Sequence, residues 1–171
     1  MRFHARVMTL AGVLAVLSVA AHAADDIYKG RTITVYVSTG PGGGYDAYAR
    51  LIARTIGRHL PGHPNVIAEN MPGAGGRKLA NFLYNAAPKD GTAIAIIHHT
   101  IVYDAVFGEA GAKYDARKFN WLGSIASFTS VGIAWHTSGV KTIEDAKKNQ
   151  IVMGSSGFGS NSYQYTNLLN N

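Results

Sequence analysis

Residues 38–50 read STGPGGGYDAYAR. Three consecutive glycines stand between a β-branched run and an amphipathic stretch. The run before them, 32–37 (TITVYV), is almost wholly apolar, as expected of a strand covered on both faces in a parallel sheet. After them Tyr48, Leu51, Ile52, Thr55, Ile56 and Leu60 recur every three or four residues, which predicts one face of a helix. A strand, a glycine turn and a helix start together make an anion cradle. The first N–H groups of a helix lack internal partners, and the macrodipole adds partial positive charge there. Gly42, Gly43 and Gly44 would let a ligand approach the backbone, and Asp46 could cap the helix, fix the loop or hold a ligand amine or hydroxyl.

Outward from this loop the pattern continues as β-α-β-α-β. Gly62-His63-Pro64 breaks the first helix, 65–70 (NVIAEN) is a second strand, and 71–76 (MPGAGG) is a second glycine turn. A helix follows over 77–87, with Leu79, Phe82 and Leu83 expected to be buried. Pro88-Lys89-Asp90-Gly91 is a turn, and 92–97 (TAIAII) is a third buried strand. Short connections in this order predict a parallel sheet with helices packed on it. Arg77 is read here as a solvated arginine at a helix start, with a ligand carboxylate as its other possible partner. His98 and His99 end the third strand. Neighbouring strand residues point to opposite faces, so the pair is no natural chelate; one would face a cleft and the other pack. His59 and His63 flank a loop and are read as solvated.

Beyond residue 119 the character changes. Residues 121–127, 131–136 and 151–153 read as short strands, and 140–149 holds a charged helix. A third glycine turn, 154–162 (GSSGFGSNS), precedes a final helical stretch. It offers Ser155, Ser156, Gly157, Gly159, Ser160 and Ser162 as a second cradle. This divides the chain into a first α/β domain over 24–122 and the start of a second, incomplete α/β domain over 123–171.

The chain has 171 residues, 47% hydrophobic, with a net charge of +6 and no cysteine. Disulfides, thiolate metal sites and thiol nucleophiles are thereby excluded. The basic residues are scattered without an interleaved aromatic stripe, which argues against nucleic acid. Residues 1–23 read as a secretory signal peptide: Arg2 and Arg6, an apolar stretch over 7–20, and Ala21-His22-Ala23 as the cleavage signal. Export to a periplasm is expected. Gly42-x-Gly44-x-x-Ala47 also satisfies a dinucleotide fingerprint, with Glu69 at the end of the next strand. Export away from the NAD pool and the charge of Asp46 beside a would-be pyrophosphate count against it. No nucleophile elbow, zinc-protease motif or Walker loop occurs, so no catalytic residue, metal or cofactor is expected.

STGPGGGYDAYAR, NMPGAGG, APKDGT, FNWLGS, AWHTSGVKTIEDA and GSSGFGS, in this order, resemble the substrate-binding receptors of tripartite tricarboxylate transporters, the Bug proteins. The resemblance covers roughly 28–171. It implies a type II periplasmic-binding-protein-like clamshell that captures a small carboxylated solute and delivers it to membrane permease subunits, as a monomer without catalysis. It places ligand contacts on Ser38, Thr39, Gly42, Gly43, Gly44, Tyr45 and Asp46, on His99 and Thr100, and on Ser155, Ser156, Gly157, Gly159 and Ser160. Here Ser38-Thr39-Gly40-Pro41 replaces the family's frequent Pro-Phe-Pro-Ala, and Tyr45 replaces a small residue, which points to an aromatic or unusual acid. Family members run to roughly 300 residues, so the resemblance also implies a truncated form with an unpaired sheet edge and exposed apolar surface.

Overall fold

The computed structural model describes residues 27–127, 129–155, 157 and 160–169. The signal-peptide reading of 1–23, and Ser156 and Gly159 of the second cradle, lie outside the described residues. The chain is mixed α/β. Its sheet has three parallel strands, β1 (Thr32–Val37), β2 (Asn65–Asn70) and β3 (Ala93–Ile96), in the order β2-β1-β3. β1 pairs with β2 from Thr32↔Asn65 to Val37↔Asn70, and with β3 from Thr34↔Ala93 to Val37↔Ile96. All three strands therefore end level, at Val37, Asn70 and Ile96.

Ile33, Val35 and Val37 of β1 are fully buried, while Thr34 and Tyr36 on the other face are half-buried. Each fully buried aliphatic side chain contributes about 1.5–3 kcal/mol. Helix α1 (Gly44–Thr55) covers the first face: Ala49 is buried against Val35 and Val37, with Tyr45, Ile52 and Ala53 around them. Tyr36 meets Phe82 of α2 (Arg77–Asn85) edge-on at 5.1 Å, so α2 covers the opposite face. Leu79 and Ala80 of α2 are fully buried, whereas Phe82 and Leu83 are half-buried.

Two sequence expectations are corrected here. The buried stripe of α1 runs through Tyr45, Ala49, Ile52 and Ala53, while Tyr48 and Leu51 are exposed. The small Ala49 lets the helix approach the sheet closely and so sets the rotation that the larger residues had suggested otherwise. The helix also stops at Thr55, and a 3₁₀ turn over Ile56–His59 takes the chain onward. His59 and His63 are exposed, as read.

The second correction concerns 121–127, 131–136 and 151–153, whose described residues form no strand. Trp121, Leu122, Val131, Ile133, Trp135 and Val152 are instead exposed. Apolar, β-branched composition suits a strand, but a neighbouring strand must supply the ladder. The charged segment does form a helix, α3 (Ile143–Lys148), with Thr142 and Asp145 in a reciprocal capping box. The last described element is α4 (Asn161–Leu169).

Candidate functional site

Because β2 and β3 flank β1, the chain leaves β1 for one side and returns on the other. The space beyond the carboxyl ends of β1 and β3 is thus the switch point of the sheet, where open α/β sheets hold ligands. Ser38 and His98 meet there. The Ser38 N–H donates to the Ile96 carbonyl at 3.0 Å, and the His98 N–H donates to Ser38 Oγ at 3.1 Å. Gly76, from the second glycine turn, closes against both. Its φ is +95°, and a Cβ there would stand 3.3 Å from His98 Nδ1 and 3.4 Å from Ser38 Cβ. The positive φ favours glycine at this position, and a side chain would also crowd the His98 ring.

The first loop is held from within by Asp46. Its carboxylate accepts from the Gly42 N–H at 3.0 Å, from Arg50 Nε at 2.9 Å and from Asn70 Nδ2 at 2.9 Å. Arg50 foremost, then the Gly42 amide and Asn70, keep this carboxyl well below the usual carboxylate range. Asn70 also donates to the Thr39 carbonyl at 3.0 Å, tying the end of β2 to the loop. Asp46 therefore fixes the loop, one of its three sequence readings. Asn70 was not among the sequence candidates; its place at the strand end beside the loop was the available signal.

The glycines of this loop differ in what they do. Gly42 has φ +92°, which only glycine adopts readily. Gly43 has an ordinary φ of −89°, and a Cβ on Gly43 or Gly44 would meet nothing within 4 Å. The fold requires neither to be glycine. They form the N-terminus of α1, which no side chain caps, and both are exposed. Open backbone amides at a helix start, with no methyl group before them, can receive an anion's oxygen atoms.

On the other side of the switch point, His98 leads into a 3₁₀ turn over His99–Tyr103. Tyr45 stands edge-on to the His98 ring, with centroids 4.9 Å apart. The His99 ring lies between two tyrosines, its Nδ1 3.4 Å from the Tyr45 hydroxyl and its Nε2 3.2 Å from the Tyr165 hydroxyl of α4. Burial, and then His98, lower the His99 pKa below the ordinary 6.5. The ring is neutral at pH 7, so one tyrosine donates to it and the other accepts. Burial likewise raises the Tyr45 pKa, keeping its hydroxyl protonated. Thr100 is fully buried.

This turn is anchored by Arg77, which is 4% exposed and not solvated as the sequence reading had it. Its Nε and Nη2 each lie 2.8 Å from an Asp104 oxygen, and Glu109 adds a contact at 3.1 Å. The Tyr114 hydroxyl also donates to Asp104. The internal carboxylates lie 27 and 32 positions away in the chain, out of reach of local pattern reading.

The second cradle is arranged differently from the expectation. No strand precedes it among the described residues, and Ser155 and Gly157 are exposed. Ser160 is buried as the cap of α4, its Oγ accepting from the Tyr163 N–H at 3.3 Å and lying 3.1 Å from Ser162 Oγ. This segment meets the first cradle through α4, by way of Tyr165. Sequence reasoning missed Tyr165 and its neighbour Gln164. Gln164 is 8% exposed, and neither amide atom has a hydrogen-bond partner among the described residues. Thr39 Oγ1 and His98 Nδ1 are buried in the same condition. Each unpaired group costs about 1–3 kcal/mol. Two surface concavities lie elsewhere, one of about 150 Å³ beside Asp104 and Tyr114 and one of about 480 Å³ between Lys29, Arg58 and His63.

Comparison of the chain with family models, with curated proteins and with solved structures gives no match.

Proposed function

We propose that the chain is an extracytoplasmic solute-binding receptor for a small carboxylate, serving a transporter of the tripartite tricarboxylate type. It carries the first lobe of a type II clamshell and the opening elements of the second. The observation that supports this most is the exposed pair Gly43 and Gly44, which the fold does not need as glycines, at an uncapped helix N-terminus beside the switch point. The helix terminus favours a carboxylate by about 0.3–1 kcal/mol, and by up to about 2 where partly buried. Ser38, Thr39 and Tyr45 line the same loop. Arg50 and Arg77 are both engaged by internal carboxylates, which leaves the solute to amides and hydroxyls. Such a site suits capture and release rather than reaction. The dinucleotide alternative is weaker, because the Gly42 amide of its fingerprint is taken by Asp46 and Glu69 is exposed on β2.

Thermal melting against dicarboxylates, tricarboxylates, aromatic acids and NAD tests the reading. A ligand bound only to the folded chain raises its melting temperature by mass action. A shift with one acid is expected; a shift with NAD alone, or with no acid, contradicts it.

A further inference from the structure

At the end of the sheet away from the candidate site, the concavity of about 480 Å³ opens between the turn before β1 and the loop from α1 to β2. Lys29, Arg58, His59 and His63 line it, with Leu60 and Pro61 as an apolar wall. Thr32 pairs with Asn65, so these residues sit at the amino ends of β1 and β2, a strand of six residues or roughly 20 Å from the cradle. Gly62 holds the two segments together: its φ is +78°, and a Cβ there would collide with the Lys29 backbone nitrogen. Among the described residues no acidic side chain lines the concavity. Arg31, Arg50, Arg77 and Arg117 are each paired with an aspartate. Arg58 makes no such pair among the described residues. Its Nε donates to His59 Nε2 at 3.2 Å, which accepts without bringing negative charge, and its Nη groups remain on offer. His63 is exposed at φ +45°, where glycine sits more readily, and its ring makes no hydrogen bond among the described residues. The fold therefore does not need an imidazole there. We infer that this concavity is a second binding site, which takes a phosphate group carried by a small molecule or by a lipid and reads it through Arg58 and His63.

The inference stands apart from the receptor reading and uses none of its residues. Phosphate suits these donors better than a carboxylate does. A carboxylate presents two oxygens in one plane, whereas a phosphate presents its oxygens around a tetrahedron and accepts from several sides. The guanidinium fork of Arg58 matches one edge of it, and an imidazole offers an N–H in either protonation state. Lys29 adds a point charge. The end of the helix explains basic residues at 58 and 59, because its dipole favours positive charge there. It does not explain Lys29 and His63, which come from outside that turn. The volume falls within the range of small-ligand pockets, about 300–1,000 Å³, and Leu60 and Pro61 offer apolar contact to whatever carries the phosphate.

Calorimetric titration of the full chain with pyrophosphate and with citrate, at one ionic strength set by sodium chloride, tests this. Co-sedimentation with phosphatidylcholine vesicles, with and without phosphatidylglycerol, supplies the lipid arm. Arg58→Gln and His63→Gly should each weaken the phosphate-bearing probe about tenfold or more and leave citrate unchanged. His63→Gly should do so with the melting temperature held or raised. Binding of pyrophosphate without the vesicles assigns a soluble phosphate compound. Binding of the phosphatidylglycerol vesicles, lost in both variants, assigns a lipid headgroup. The inference is overturned if neither probe binds wild type, if binding survives in either folded variant, or if the variants weaken citrate as much as pyrophosphate. The last result would reduce the concavity to a general anion patch. Failure of both variants to fold would show that these side chains serve the fold, and would overturn it too.

Discussion

The Nε2 of His99 lies 3.2 Å from the hydroxyl of Tyr165, which joins the turn after β3 to α4 across 66 positions of the chain. With Tyr45 on its other nitrogen, the ring makes one contact with each side of the candidate site. Its pKa is depressed by burial and by His98, so the unfolded chain binds the proton more readily. The stabilising contribution is therefore complete above the ordinary value of 6.5 and is lost as pH falls through the lower folded value. Melting temperature measured from pH 8 down to pH 5 should fall on the acid side, and His99→Gln should flatten that limb. An unchanged slope in the variant would place the titration elsewhere.

Arg77 and Asp104 form the buried pair that holds the same turn. Removing Asp104 breaks the bidentate pair and leaves the buried Arg77 charge to Glu109, and breaking such a buried pair costs about 3–5 kcal/mol. Asp104→Ala should lose that much in urea unfolding, a large part of a typical total of about 5–15 kcal/mol. The double variant Arg77→Leu with Asp104→Leu should lose clearly less than the sum of the single changes. Strict additivity would show that the two charges do not depend on each other.

Asp46 is the clasp of the glycine loop. Its carboxyl is held low by Arg50 first, so its contribution is present above the ordinary 3.8 and lost as pH falls through the depressed folded value. Asp46→Asn should lower the melting temperature at pH 7 and remove this part of the acid-induced loss. Equal melting of the two proteins at pH 7 would mean that the loop does not need the clasp.

Gly42 and Gly43 are neighbours with opposite requirements. Alanine at Gly42 must adopt φ +92°, which costs about 1–2 kcal/mol. Alanine at Gly43 enters open space at an ordinary φ and should leave stability within about 1 kcal/mol of wild type. Chemical unfolding of the two variants checks the contrast; similar losses would show that Gly43 serves the fold.

Much of the first α/β unit was legible in the sequence. TITVYV and NVIAEN are strands at their expected limits, because β-branched runs bounded by glycine, proline and asparagine leave few alternatives. The glycine turn from β1 into α1 was legible too, since the apolar run ends at Val37 and the helical spacing begins just after the glycines. Three things were not. The pairing of Arg77 with Asp104 depends on where α2 places the side chain, and nothing near Arg77 in sequence announces it. The burial of Gln164 and the contact of Tyr165 with His99 were hidden because NSYQYTNLL carries no clear apolar face. The segments around Trp121, Ile133 and Val152 have the composition of strands, but strand formation depends on a neighbour, which composition does not report.

The central claim is that open glycine amides at the start of α1 hold a carboxylate. Titrating succinate, citrate and benzoate into wild type and into Gly43→Ala, with both melts recorded, tests it most directly. The account predicts that at least one acid binds wild type, and that the variant melts at nearly the same temperature but binds that acid about tenfold more weakly or worse. Equal binding by both proteins, or no binding to wild type, would contradict it.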